Sequence, residues 1–89
     1  MQHSKNNEIF KQAVGEIFRD IRENSNLSLN KFALEYDLDK SNMSKTERGI
    51  INIYLITAWK IVEAHGLKFS EFAKMLEDKL GEDFTFIDE

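Results

Sequence analysis

Between Lys40 and Arg48 the chain sets Lys40, Ser41, Asn42, Ser44 and Lys45 around one large apolar residue, Met43. Lysine brings a charged donor, while serine and asparagine bring short groups that both donate and accept hydrogen bonds. That set suits recognition of a polar partner and offers no acid–base pair for catalysis. His3 belongs to a polar N-terminus, and His65 precedes Gly66, where it would cap carbonyls or meet a helix dipole. The two histidines are far apart and form no H-E-x-x-H pattern. Without cysteine there is neither a disulfide framework nor a thiolate metal site. No G-x-x-x-x-G-K-[ST] or G-x-G-x-x-G loop offers a nucleotide site. The expectation is a protein that is not an enzyme and needs no metal or cofactor.

The elements that must position the polar cluster follow from periodicity. With 89 residues, 42% of them hydrophobic, the chain is expected to form one domain, residues 1–89, around one core. No membrane span or leader is expected, and a cytoplasmic location fits. Ile9, Phe10, Ala13, Val14, Ile17, Phe18 and Ile21 recur at three and four, predicting a first helix from about Asn7 to Asn24. Asn26 can take the left-handed conformation that ends it. Ser28 reads as the N-cap of a short second helix carrying Leu29, Phe32, Ala33 and Tyr36. Asp37-Leu38-Asp39 breaks the pattern, and Asp39 can cap a third helix, Lys40 to Arg48, ending at Gly49. The fourth segment, about Ile53 to His65, is apolar almost all round and is expected to be buried on more than one side. A fifth helix spans about Phe69 to Leu80. The fold class is therefore all-α, with five helices and either a short C-terminal strand or an arm.

Two short helices joined by a three-residue turn, the second with a polar outer face, describe a helix-turn-helix, here about 28–49. Leu27-Ser28-Leu29-Asn30-Lys31-Phe32-Ala33 and Asn42-Met43-Ser44-Lys45-Thr46-Glu47-Arg48-Gly49 resemble the two halves of the Cro/phage-repressor family motif, also called the xenobiotic-response-element type. The resemblance runs from about Val14 to Phe72. It departs at Asp37, where the family usually has glycine, and at Thr46, where it usually has Ile or Leu. The resemblance implies a small transcriptional regulator, a repressor, that binds double-stranded DNA as a homodimer and needs no small-molecule ligand. Lys40, Ser41 and Lys45 match base-contact positions, with Asn42 and Ser44 beside them. A helix fits the major groove, where lysine donates to guanine and Ser or Asn serve several base edges. Ser28, Leu29 and Arg48 match backbone-contact positions, Leu29 through its main-chain N–H alone. Glu47 matches a structural acid that pairs with a basic residue of the first helix, here Arg22.

Charge and the tail leave alternatives open. Residues 1–49 carry eight Lys/Arg against eight Asp/Glu, while residues 50–89 carry four against eight. That asymmetry describes either two faces with different partners or a solvated acidic surface. An antitoxin-like or antirepressor-like interaction module is the alternative function. In the last stretch, 69–89, Phe84, Phe86 and Ile87 either meet a second copy, as a dimer contact, or fold back on their own chain, which would leave the contact to the face of the fourth helix carrying Tyr54 and Trp59.

Overall fold

The computed structural model describes residues 2–87, with side chains from Lys5 onward. Five helices follow one another: α1 Gln2–Asn24, α2 Leu29–Glu35, α3 Lys40–Glu47, α4 Leu55–Ala64 and α5 Phe69–Leu80. There is no strand among the described residues. No helix among them is long and apolar enough to cross a membrane.

Each helix gives its apolar stripe to one core. α1 supplies Val14, Ile17, Phe18 and Ile21, α2 Phe32, α3 Met43, α4 Ala58, Ile61 and Val62, and α5 Phe72. Along α1 the spaced residues from Ala13 to Ile21 are removed from water while Ile9 stays 40% exposed, and along α5 Phe72 is buried with Phe69 and Leu76 partly covered beside it. α1 is the spine, packing on both α3 and α5, while α2 packs on α3 and α4 on α5.

Local chemistry sets the helix ends. Asn26 (φ 58°) turns left-handed after α1, and the N–H of Leu27 returns to the Arg22 carbonyl. Ser28 Oγ accepts the Lys31 N–H at 3.2 Å, and Asp39 Oδ1 accepts the Asn42 N–H at 3.0 Å. Each side chain satisfies one donor that a first helical turn leaves free. α1 begins at Gln2, five residues before the expected start, because polar residues spaced through its first turns can continue a helix that apolar periodicity does not mark.

Two expectations need correction. α4 is not buried on more than one side. Ala58, Ile61 and Val62 face the core, but Leu55, Ile56 and Trp59 keep 67, 65 and 47% of their surface exposed. α4 is also shorter than the expected Ile53 to His65, starting at Leu55 with Tyr54 as its N-cap. The tail forms no strand; it bends back as an arm. Phe84 and Phe86 place their ring centroids 6.4 and 5.4 Å from Phe10, and Asn6 Nδ2 donates to the Thr85 carbonyl at 2.6 Å. Of the three expected dimer contacts Phe84 is half-buried, while Phe86 and Ile87 keep 41 and 69% of their surface exposed.

Candidate nucleic-acid interface

α3 is presented on a rigid base. The turn from α2 runs through Tyr36–Asp39, and Asp37 holds φ at 53°, the left-handed conformation that glycine would adopt most easily. The Leu38 N–H donates to the Ala33 carbonyl at 2.7 Å and closes that turn. Met43, Thr46 and Glu47, at i, i+3 and i+4, are buried. Thr46 Oγ1 donates to the Asn42 carbonyl at 2.9 Å, so its hydroxyl enters the interior already bonded. That bond lets a polar residue fill a position where a larger aliphatic side chain was expected.

The opposite side of α3 faces water. Lys40, Ser41, Asn42, Lys45 and Arg48 are exposed, and Ser41, Lys45 and Arg48 at i, i+4 and i+7 form one stripe. Ser44 is only half-buried and does not share the open face fully. Its carbonyl accepts the Arg48 Nε–H at 3.4 Å, laying that guanidinium along the helix end. Ser28 is exposed at the start of α2, whereas the Leu29 side chain packs on the core and leaves only its backbone to a partner.

Some cations of the chain are paired and others are not. Lys11 pairs with Glu8 at 2.8 Å, Lys79 with Glu16 at 3.0 Å and Lys74 with Asp78 at 3.5 Å. Among the described residues, Lys40, Lys45 and Arg48 enter no ion pair, and away from this face Lys31, Lys60 and Lys68 also enter none. Three unneutralised positive charges on a rigid convex helix can bind an anionic polymer, and the hydroxyl and amide groups between them can donate and accept. Alongside runs a groove of about 430 Å³ between the α2–α3 turn, α3 and the start of α4, whose lining includes the acidic Asp37 and Asp39 as well as Asn42, Asn52, Tyr54 and Thr57. Asn52 and Thr57 escaped the sequence reading, because only the path of the 49–54 connection brings them beside α3.

Arg22 and Glu47 fix the back of the site. Arg22 Nε and Nη2 donate to the two Glu47 carboxylate oxygens at 2.8 and 3.0 Å, a two-pronged pair. Arg22 Nη1 also donates to the Leu27 carbonyl at 3.1 Å, which ties the end of α1 to both α2 and α3. Donating its hydrogen bonds to Glu47 raises the pKa of the Arg22 guanidinium above its ordinary value, against the opposing effect of burial. Arg19 approaches the same carboxylate at 3.7 Å from the surface side.

No family model matches this chain, and no curated protein or solved structure matches it either.

The remaining polar cluster of the chain is structural. A carbonyl can only accept, so His65 Nδ1 donates to the Ile61 carbonyl at 2.8 Å, and Tyr36 OH meets Nε2 at 3.4 Å. His65 thereby caps α4 and joins it to α2, with the Phe32 ring 5.9 Å away. Burial, and then the charge of Glu35, push the Tyr36 hydroxyl above its ordinary value.

Proposed function

We propose that this chain binds double-stranded DNA through α3 in the major groove and acts as a transcriptional regulator, a repressor, in the cytoplasm. The observation that carries the reading is the exposed stripe Ser41, Lys45 and Arg48 on a helix whose opposite stripe is buried and tied down by the Arg22–Glu47 pair. A helix of this width enters the major groove, where side chains on one stripe reach base edges and flanking cations reach phosphates. The resemblance of the 27–49 segment to the Cro/phage-repressor motif points the same way. No catalytic role is proposed. One α3 spans only a few base pairs, so tight sequence-specific binding calls for a homodimer on a palindromic site.

The test is fluorescence anisotropy on mixed-sequence duplex across a salt series, followed by selection from random duplexes. Phosphate contacts release counterions, so log K should fall linearly with log salt, and selection should return a two-fold site. Absence of duplex binding at low salt removes the reading. Stable capture of a basic protein partner in its place would favour the antitoxin-like alternative, which the acidic excess of residues 50–89 would serve.

Lys45→Ala and Arg48→Ala should separate two roles. Lys45 stands mid-stripe, and its loss should remove roughly 1–3 kcal/mol of discrimination while sparing random DNA. Arg48, at the helix end, should weaken both kinds of site alike and flatten the salt slope by about one unit. Identical profiles for the two variants would refute this division.

The acidic groups of α5 and the tail should matter little. α5 packs on α1 and α4, while α3 packs on α1 and α2, so the acids project from a separate part of the molecule. Neutralising Glu77, Asp78, Glu82 and Asp83 together should raise duplex affinity only slightly. A gain of several orders of magnitude at moderate salt would place them against the phosphates instead.

A further inference from the structure

We propose that the C-terminal arm, residues 81–87, is a strap that orders the first turns of α1 and so sets how firmly the end of α3 is held. Its regulation of α3 rests on the DNA reading; the strap itself rests on packing alone. The first turns of α1 have little of their own to hold them. Lys5-Asn6-Asn7-Glu8 is polar, asparagine is a poor helix former, and the first turn carries no acidic residue to meet the helix dipole. A helix end of this composition is marginal in water unless another element packs on it. Between Lys5 and Phe10 only Asn6 and Phe10 are half-buried, at i and i+4 on one face. The arm touches both.

The arm can lift without opening the core. Gly81 turns the chain at the end of α5 with φ 91°, and the Phe84 N–H closes the bend on the Gly81 carbonyl at 3.2 Å. Thr85 offers its carbonyl to Asn6, while its Oγ1 accepts the Ile87 N–H at 2.9 Å. Phe84 and Phe86 meet edge-on, centroids 5.1 Å apart and planes at 86°, with both rings against Phe10. Neither ring belongs to the core cluster. Between them and Leu76 and Leu80 of α5 runs an open groove of about 560 Å³, so the arm bridges this side of the molecule without filling it. A segment with so few buried contacts opens on its own, at lower cost than the core.

What the strap holds continues into the reading unit. Next to Phe10, Lys11 pairs with Glu8, and its Nζ also donates to the Ile50 carbonyl at 3.4 Å. Gln12 lies against Gly49 with no room for a Cβ between them. The N–H groups of Gly49 and Ile50 return to the Thr46 and Lys45 carbonyls at 3.0 and 2.8 Å and close the end of α3. One continuous path therefore runs from Phe86 through Phe10, Lys11 and Ile50 to the backbone of Lys45. With the arm lifted, α1 frays toward Lys11 and Gln12, and the end of α3 loses their support. A path couples two sites only through an element with two arrangements that both ends sense, and the seated or lifted arm is that element.

Hydrogen exchange of the full chain, free of DNA, tests the strap. Phe84→Ser with Phe86→Ser should speed exchange of the amides of residues 8–12 at least about tenfold, and those of Gly49 and Ile50 with them. The amides of Phe32 and Ile61, in the core, should keep their rates. Adding Asn7→Ala, an exposed change that favours helix, should slow residues 8–12 again by about threefold, with Gly49 and Ile50 following. Ile87→Ser, at a side chain 69% exposed, should change none of these rates. Unchanged amides at 8–12, or equal acceleration throughout the molecule, would overturn the strap. A response of α1 that Gly49 and Ile50 do not share would overturn its link to α3. Duplex binding is read separately. The double variant should bind a selected palindrome roughly five- to tenfold more weakly, with a smaller loss on random duplex. Unchanged palindrome affinity in a variant whose exchange responds would overturn the regulation. A strap that passes the exchange test in a protein without duplex affinity condemns the DNA reading alone.

Discussion

Arg22→Met should destabilise the fold by about 3–5 kcal/mol, the usual consequence of removing one partner from a buried ion pair. The reason is the imbalance between the two partners. The Glu47 side chain is 3% exposed and the Arg22 side chain 16%, so the carboxylate depends on its partner far more than the guanidinium does. Without Arg22, the nearest cation is the half-exposed Arg19, 3.7 Å away in a poorer geometry. Glu47→Gln should cost less, because Arg22 keeps its bond to the Leu27 carbonyl and has some access to water. Replacing both with apolar residues, Arg22→Met with Glu47→Leu, should recover much of the loss, since no charge is then stranded. Urea unfolding of the four proteins gives the coupling energy directly. Additive single effects would show that the pair contributes no more than two independent surface charges.

How much of this was legible in the sequence differs between elements. The α1 stripe from Ala13 to Ile21 was, because its apolar residues recur at helical spacing, although Ile9 at its start stays exposed and the same spacing on α5 buries only Phe72 fully. The caps at Ser28 and Asp39 and the left-handed Asn26 were also legible, since each depends on chemistry within a few residues. α4 was not. An all-round apolar helix reads as buried, yet in a domain of five helices the core ran out of partners and Leu55, Ile56 and Trp59 stayed outside. Nor was the destination of the tail, because whether Phe84 and Phe86 meet Phe10 or a second copy depends on how far the arm bends back. Within the candidate site, residue types alone suggested Lys40, Ser41, Asn42, Ser44 and Lys45 as an exposed set, and all but the half-buried Ser44 are exposed. Arg22 and Glu47, 25 positions apart, could be matched only through resemblance, since nothing local ties them together.

Gly15 had no sign of importance in the sequence, and Gly15→Ala should nonetheless be among the most damaging single changes to the site. In an exposed helix interior alanine would stabilise by about 1 kcal/mol relative to glycine. Here the added Cβ would collide with the Thr46 carbonyl oxygen and lie 2.8 Å from that of Glu47. Both obstacles are backbone, so no side-chain rotation relieves them. α1 must therefore move away from the end of α3, stretching the contact that the Arg22–Glu47 pair spans. Gly49, whose own Cβ would come within 3.0 Å of the Gln12 Cα, belongs to the same close approach. Overpacking of this kind costs about 1–3 kcal/mol and sometimes more. In a domain whose total stability is on the order of 5–10 kcal/mol, that is a substantial share. Gly66→Ala is the matched control: its Cβ meets nothing within 4 Å, so it tests only the strain of a left-handed alanine (φ 77°), about 1–2 kcal/mol. The expected order of urea midpoints is wild type, then Gly66→Ala, then Gly15→Ala, with Gly15→Val lowest. At equal folded concentration, Gly15→Ala should also lose affinity for a selected palindrome more than for random duplex, because a displaced α3 misaligns base contacts before phosphate contacts. If Gly15→Ala is as stable as the unaltered protein, α1 and α3 do not meet as closely as this, and α3 is held by its side chains alone.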